Sequence, residues 1–288
     1  MEKIKESELV LNKDGSIYHL HLHPEDIAKN IILVGDPGRV EKVSRFFDRI
    51  EITRQNREFI THTGYFQGKR ITALSTGIGT DNIDIVLNEL DALVNIDLKK
   101  REEKTAHTSL NLIRIGTTGA IQPEIPVDSW IASTLAAGFD NVMHFYSDPN
   151  NVIIHDIAIE FVKSTEWNKE LAVPYFVKAS DKLLNQLAND IRSGITISAP
   201  GFYGPQGRSL RLALRYPDLN AKLERFRFRG MKITNYEMES SAIYGLSGLL
   251  GHNSLTLCAV VANRSTKSFS SDYEPVIAGL IEQTLIKL

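Results

Sequence analysis

The chain has 288 residues, 42% of them hydrophobic and 24% charged, which indicates an ordinary globular protein. A net charge of -2 argues against nucleic acid or an anionic membrane as a partner, so any anion site must be local. An apolar leader and an eighteen-residue apolar run are both missing, and the single cysteine can form no internal disulfide, so we expect a cytoplasmic protein.

The first seventeen residues are polar and predict an arm ahead of one domain over 18–288, because no linker-like segment or internal repeat divides the remainder. Three histidines then alternate with leucines at positions His19, His21 and His23. In an extended segment all three would share one side, a spacing that can hold zinc. No further cluster of metal-binding residues accompanies them, so we predict no metal site.

A short apolar strand is predicted at 30–34, and it runs into a turn from Gly35 to Arg39 and then a helix. A Gly-rich turn before a helix gathers backbone N–H groups at the positive end of the helix dipole, where phosphate can bind. Arg39 adds a full charge there. The same turn is more often only a turn, and the Gly-Lys-Ser/Thr of a Walker loop is absent.

Further strands are predicted between 52 and 75, with Arg57-Glu58-Phe59 in the first of them and Gly77-Ile78-Gly79 after the last. The third glycine of a dinucleotide-binding motif is missing, so that interpretation is weak. Asp81 is predicted to cap an amphipathic helix. The mixed charges of segment 99–107 predict a solvated loop or an extended helix end.

A buried strand is predicted at 112–115, and it ends in Gly116-Thr117-Thr118-Gly119. Its glycines would let the backbone turn sharply and approach a ligand. Arg114 lies inside this strand, where a charge is either neutralised by a buried carboxylate or faces an anion at the strand's C-terminal end. The strand leaves both interpretations open, and the other anion-binding features favour the second.

A later predicted strand, 194–198, leads into a loop that contains Phe202, Gln206 and Arg208. An aromatic ring, an amide and a guanidinium suit a flat heterocycle, although an aromatic plug with solvated polar ends explains the composition slightly better. The run from Arg225 to Arg229 interleaves basic and aromatic residues as nucleic-acid binders do, but more often such a run covers a surface.

A strand at 231–234 precedes Glu237 and Glu239, whose carboxylates share one side in extended geometry and could hold sugar hydroxyls, share a proton or bind a metal. A helix that stops at Gly251, a strand over 255–262 and a closing helix near Pro275 complete the chain. The alternation of strands and helices predicts a single α/β domain with a mixed central sheet flanked by helices.

Nearly the whole chain, from Tyr18 to Arg264, resembles the nucleoside phosphorylase and nucleosidase superfamily and, within it, the uridine phosphorylases. The motifs that carry this resemblance stand in the family's order: Gly35–Val40, Arg57–Phe59, Ser75–Gly79, Arg114–Pro123 and Asn235–Ser240. The resemblance implies the superfamily's three-layer α/β fold. It also implies a pentosyltransferase that reversibly converts uridine and phosphate to uracil and ribose 1-phosphate.

The resemblance further implies a role for individual residues. Phosphate would be held by Gly35, Arg39, Arg114 and Thr117, with Arg57 supplied by a neighbouring subunit. Ribose would be held by Thr117, Met238 and Glu239, with His19 of the neighbour at the 5′-hydroxyl. Uracil would be held by Phe202, Gln206, Arg208, Val261 and Ala262. The catalytic residues would be Arg39, Arg114, Thr117, Gln206, Arg208 and Glu239.

Shared sites of this kind imply a homo-oligomer, either a dimer or a trimer of dimers. No cofactor is implied, because phosphate is a co-substrate. A monovalent-cation site near Glu58 and Ile78 stays open, since Thr80-Asp81-Asn82 departs from the family's pattern.

The substrate class rests on two contrasts within the superfamily. The cluster of Arg39, Arg57 and Arg114 favours phosphorolysis over hydrolysis. The lack of an acid at 262–264, together with Gln206 and Arg208, favours a pyrimidine over a purine. The alternatives are a nucleoside phosphorylase of broader or purine specificity and a catalytically silent nucleoside-binding protein on the same fold.

Overall fold

Strands and helices alternate along the computed structural model, which describes residues 3–288. The strands are β1 (Asn30–Val34), β2 (Arg49–Asn56), β3 (Phe59–Phe66), β4 (Lys69–Ser75), β5 (Ile96–Asp97), β6 (Glu102–Glu103), β7 (Asn111–Ala120), β8 (Trp130–Gly138), β9 (Tyr175–Lys178), β10 (Arg192–Ser198), β11 (Arg227–Phe228), β12 (Met231–Glu237), β13 (Asn253–Asn263) and β14 (Ser268–Phe269). The α-helices are α1 (Gly38–Ser44), α2 (Thr80–Asn95), α3 (His155–Thr165), α4 (Asp181–Leu187), α5 (Leu219–Arg225), α6 (Ser240–Leu250) and α7 (Glu274–Lys287).

Twelve of the strands form one mixed sheet in the order β11-β12-β10-β8-β13-β7-β1-β4-β3-β2, with β9 added to β8 and β14 to β13. β12 also pairs antiparallel with β7, which closes β12, β10, β8, β13 and β7 into a ring. The neighbours β4, β1, β7 and β13 run parallel. Their C-terminal ends therefore meet at one edge of the sheet, the usual ligand-binding edge of α/β proteins. The mixed sheet with packed helices confirms the predicted fold class.

The main core explains why the central strands form where the sequence predicts them. Ile31–Val34 and Leu112–Ile115 are buried along their whole length, as expected of parallel strands covered on both faces. α2 buries apolar side chains three or four residues apart, the period of one helical face. α6 ends at Gly251, whose φ of 74° is the left-handed conformation of a helix C-terminus.

Several predicted boundaries are wrong for local reasons. Arg57 and Glu58 lie in the turn between β2 and β3 rather than in a strand, and Arg57 has a φ of 53°. α2 is capped by Gly79, with φ 101°, so Asp81 lies in its first turn instead of at the cap. Segment 99–107 is mostly an exposed loop, as predicted, but its residues Glu102–Glu103 (β6) pair with Ile96–Asp97 (β5) in a two-stranded hairpin.

That hairpin holds the N-terminal segment against the domain. The Arg101 side chain donates from Nη1 to the Leu9 carbonyl at 2.6 Å, and the Ile4 N–H donates to the Arg101 carbonyl at 2.9 Å. Leu9 and Ile17 are buried in the main core. The division into an arm of 1–17 and a domain of 18–288 stays a prediction. No helix within residues 3–288 is both long enough and apolar enough to cross a bilayer.

Candidate active site

A cavity of about 700 Å³ opens where the parallel strands end. It is lined by eleven of the thirteen residues to which the resemblance gives a role, drawn from segments that are far apart in the sequence. These eleven are Gly35, Arg39, Arg114, Thr117, Phe202, Gln206, Arg208, Met238, Glu239, Val261 and Ala262. The sheet order explains the convergence, because Gly35 follows β1 while Thr117 and Val261 lie on β7 and β13.

Of the two interpretations that its strand left open, the structure shows the first for Arg114, a charge neutralised by buried carboxylates. It is 6% exposed, its Nη2 donates to Glu239 Oε2, and its Nη1 lies 3.4 Å from Glu237 Oε2. Burial lowers the pKa of this guanidinium, but Glu239 and Glu237 raise it by more, so Arg114 is firmly cationic. It is both neutralised by buried carboxylates and placed at the cavity wall.

Glu237 and Glu239 have different partners although both face Arg114. Glu237 accepts hydrogen bonds from Ser198 Oγ at 2.5 Å and from the backbone N–H groups of Glu239 and Ser240, which fixes the start of α6. Glu239 accepts from the Gly79 N–H at 2.8 Å. Burial raises the pKa of Glu239; Arg114 opposes this rise and Glu237 adds to it. Two carboxylates thus share one guanidinium, leaving one negative charge unmatched at this position.

Arg39, on α1, and Arg114, on β7, bring two guanidinium groups to the same cavity. The Nε atoms of Arg39 and Arg114 are buried and have no partner within residues 3–288. Burial, and then the charge of Arg114, lower the pKa of Arg39. Leaving a buried donor unpaired costs about 1–3 kcal/mol, and more for a charged group, so such atoms are rare. Separately from these buried atoms, two guanidinium groups on one cavity wall suit an anionic ligand.

The loop after β10 brings a second set of polar groups to the cavity. Gln206 ends a single 3-10 turn, Gly204–Gln206, and is 3% exposed. Arg208 folds back over Phe202, with its Cζ 3.7 Å from the ring centroid, and its Nη1 donates to Gln206 Oε1 at 2.6 Å. Burial, and then Arg264, lower the pKa of Arg208 to about 10. The amide oxygen of Gln206 is therefore occupied, and its NH₂ group has no partner among the described residues.

A family model decides which family this fold and cavity belong to. The model of the phosphorylase superfamily matches residues 29–283. The chain belongs to the phosphorylase superfamily. It is 30% identical to the uridine phosphorylase of Thermococcus kodakarensis over all of this chain and 92% of that protein. It is 27% identical to the uridine phosphorylase of Haemophilus influenzae over 90% of each protein.

A solved structure supports the same relationship to uridine phosphorylases. The Trypanosoma brucei nucleoside phosphorylase, which shows uridine phosphorylase activity, superimposes with a TM-score of 0.81 and 28% identity. The superposition covers 97% of this chain and 100% of that one. The resemblance to uridine phosphorylases is therefore confirmed.

Gly116, in β7, does not have the role in a sharp turn that the sequence predicted for it. Gly116 stays within the strand and makes no sharp turn. A Cβ atom at this position would lie 2.1 Å from Nη1 of Arg114 and 2.8 Å from its Cζ. The missing side chain thus provides the space that the guanidinium occupies between β7 and the two glutamates.

Some lining residues were missed by the sequence analysis. Phe269 reaches the cavity from β14, a two-residue strand with no alternation to reveal it, and Asn82 reaches it from the first turn of α2. Arg264 donates from Nη2 to the Gln206 carbonyl at 2.7 Å and so supports the loop that carries Gln206. Its place just after a buried strand was the one signal in the sequence that pointed to it.

His19 and Arg57 are the two predicted site residues that do not line the cavity. They lie together on a separate patch, which we call the donor patch: Tyr18, His19, Asn56 and Arg57. Asn56 Nδ2 donates to the His19 carbonyl at 2.8 Å, and the Tyr18 ring lies 4.8 Å from the ring of His19 and 5.9 Å from the Arg57 guanidinium.

The alternating histidines do not converge on one point. His19 Nδ1 is paired with Glu89 and His21 Nε2 with Asp14. Within residues 3–288 the one group with metal-ligand geometry is Asp91, His107 and His252, near the N-terminal ends of β7 and β13. The Leu110 N–H donates to Nδ1 of His252 at 3.2 Å, which leaves the proton of the neutral ring on Nε2, the atom nearest Asp91.

A second cavity of about 680 Å³ lies beside the loop that carries Gln206. Of the predicted site residues only Arg208 lines it, and most of its wall is apolar, including Trp167, Leu212 and Leu214. Its lining contains no carboxylate, unlike that of the first cavity. The cavity that holds eleven of the predicted residues is therefore the candidate active site.

Proposed function

We propose that this protein is a uridine phosphorylase, a pentosyltransferase that converts uridine and inorganic phosphate to uracil and ribose 1-phosphate. The observation that carries the proposal is one cavity lined by two chemically different sets of residues. The guanidinium groups of Arg39 and Arg114 form one set, and the Gln206 amide with Arg208 forms the other. We infer that the first set holds phosphate and the second holds a pyrimidine ring, with the sugar between them.

The reaction follows from this arrangement. Phosphate held by Arg39 and Arg114 attacks C1′ of the ribose as the C1′–N1 bond breaks, and the electron pair of that bond leaves with uracil. Glu239 holds the ribose hydroxyls, while donors from Gln206 and Arg208 stabilise the negative charge on the uracil carbonyls. No protonating acid is needed, and the rate gain comes from positioning and fixed charge. The uracil anion takes its proton from water after release.

The charges around the cavity support an active site shared between subunits. Its wall carries three arginines (Arg39, Arg114, Arg208) against four carboxylates (Asp36, Glu58, Glu237, Glu239). A phosphate dianion would thus meet a wall of formal charge -1, which is 3 minus 4. A further cation from a second copy would offset this negative charge. The donor patch offers Arg57 for this purpose, with His19 beside it. We propose a homo-oligomer, a dimer or a trimer of dimers, in which each donor patch completes its neighbour's cavity.

Phosphate acts in this scheme as a co-substrate, and no cofactor is required. The single cysteine, Cys258, is free and buried, which supports a cytoplasmic location, where thiols stay reduced.

The function is tested by measuring uracil release from uridine with and without phosphate, with inosine in parallel. We expect turnover of uridine only when phosphate is present. Release without phosphate would mean hydrolysis and would contradict the roles of Arg39 and Arg114. Faster cleavage of inosine would agree with the phosphate-binding role of Arg39 and Arg114 but would overturn the assignment of a pyrimidine substrate. A lack of turnover on either nucleoside would favour a silent binding protein.

The shared site is tested by mixing two inactive variants. Arg114→Ala removes a residue of the subunit's own cavity, whereas Arg57→Ala removes a residue that the subunit supplies to its neighbour's cavity. After random reassortment of a dimer, half of the molecules carry one intact site, so about a quarter of wild-type activity should return. Failure of a mixture to regain activity, with subunit exchange verified, would contradict donation in trans.

A further inference from the structure

Glu89 is a partly buried carboxylate that the reaction scheme does not use. It lies on α2, its side chain is 13% exposed, and every hydrogen bond that it makes within residues 3–288 goes to two adjacent residues of the N-terminal segment. It accepts the backbone N–H of His19 at 2.9 Å, the backbone N–H of Leu20 at 2.8 Å and Nδ1 of His19 at 2.7 Å. One carboxylate thus fixes both the backbone and the ring of His19.

This contact determines which ring nitrogen of His19 can face a ligand. A carboxylate can only accept, so Nδ1 carries a proton and donates it to Glu89. Nε2 has no partner in the described part of the chain. In the neutral ring, Nε2 is then a hydrogen-bond acceptor, which suits the proton of a hydroxyl group. The edge-on Tyr18 ring and the Asn56 amide hold the same residue from other sides.

α2 connects this arrangement to the subunit's own cavity. Gly79, the cap of α2, donates to Glu239, and Asn82 in the first turn lines the cavity. Glu89 lies two turns farther along the same helix, about 10 Å from Asn82 at the usual rise per residue. A rigid helix therefore sets the position of His19 relative to the site to which α2 also contributes.

We propose that Glu89 is the positioning residue for His19, and that through His19 it makes the enzyme select nucleosides that carry a 5′-hydroxyl. The inference rests on the proposed function, in which His19 of one subunit reaches the ribose in its neighbour. A nucleoside without the 5′-hydroxyl cannot donate a hydrogen bond to Nε2 of His19. The ring orientation that Glu89 imposes therefore should not affect how fast that nucleoside is cleaved.

The test compares kcat/KM on uridine and on 5′-deoxyuridine, with phosphate present, for wild type, Glu89→Gln, His19→Ala and the double variant. We expect Glu89→Gln to lower the value for uridine about tenfold, the size of one hydrogen bond, and to leave 5′-deoxyuridine within about twofold. In the His19→Ala background, Glu89→Gln should have no further effect on uridine. If Glu89→Gln fails to fold, Glu89→Asp replaces it in the test. This variant keeps the negative charge on a side chain shorter by one methylene, and the ratio of kcat/KM on uridine to that on 5′-deoxyuridine is measured in the same way.

A matched control is available in the same segment. Asp14 pairs with His21 at 3.1 Å, another carboxylate and histidine, but His21 has no role in the site. Asp14→Asn should leave the uridine to 5′-deoxyuridine ratio unchanged. Equal losses on both nucleosides, or a further loss in the His19→Ala background, would overturn the inference and give Glu89 a purely structural role. A wild-type enzyme inactive on uridine would defeat the proposed function itself, and this inference with it.

Discussion

Gly116→Ala should disable phosphate binding in the cavity although no charged residue is replaced. The new Cβ would lie 2.1 Å from Nη1 of Arg114, whereas ordinary contact begins at 3.4 Å, so the guanidinium must move by about 1.3 Å, the difference of the two. Arg114 cannot yield freely, because it is buried and paired with Glu239 and Glu237. A misplacement of about 1 Å can cost on the order of a hundredfold in rate, and we expect a loss of that size in kcat/KM for phosphate.

The assay is phosphate-dependent uracil release at varied phosphate, together with thermal unfolding. Overpacking should also lower the free energy of unfolding by about 1–3 kcal/mol, which leaves a folded protein at room temperature. Gly204→Ala is the matched control, because a Cβ there meets nothing within 4 Å. A folded Gly116→Ala variant with wild-type kcat/KM for phosphate would refute the reasoning, as would an equal loss in Gly204→Ala.

Three further predictions concern other buried groups. Asn263→Asp should lower the free energy of unfolding by about 2–4 kcal/mol in chemical denaturation and should not create activity on inosine, because Asn263 donates to two carbonyls of the 122–125 turn that a carboxylate would repel. Burial raises the pKa of Cys258 to about 12, so a thiol reagent at pH 8 should label it only as fast as the protein unfolds. Because burial raises the pKa of Glu239, the folded state binds its proton more tightly than the unfolded state. The stability of wild type relative to Glu239→Gln should therefore be greatest below pH 4.5, the ordinary value, and should fall as pH rises through the folded-state pKa.

Each of these predictions has a contrary outcome. Inosine cleavage by Asn263→Asp would place position 263 in the base site. Rapid labelling of the native thiol would mean that β13 opens locally. A stability difference between wild type and Glu239→Gln that is constant or increases above pH 4.5 would show that Arg114 outweighs burial and holds Glu239 ionised.

The sequence by itself determined the strands and helices with strong local signals. Continuous apolar runs marked β1, β7 and β13, and Gly251 marked the end of α6. These features depend on periodicity and on the backbone preferences of single residues, which are local properties. The motifs also revealed the family resemblance, and that resemblance named the eleven residues that line the cavity.

Only the tertiary structure decided how Arg114 is used. Its partner Glu239 is 125 residues away, and they meet because β12 pairs with β7 as well as with β10. The same closure makes Gly116 a space for a guanidinium rather than a turn. His19 and Arg57 were likewise brought together, away from the cavity, by the fold alone. Strand order fixes such contacts, and no local period in the sequence encodes strand order.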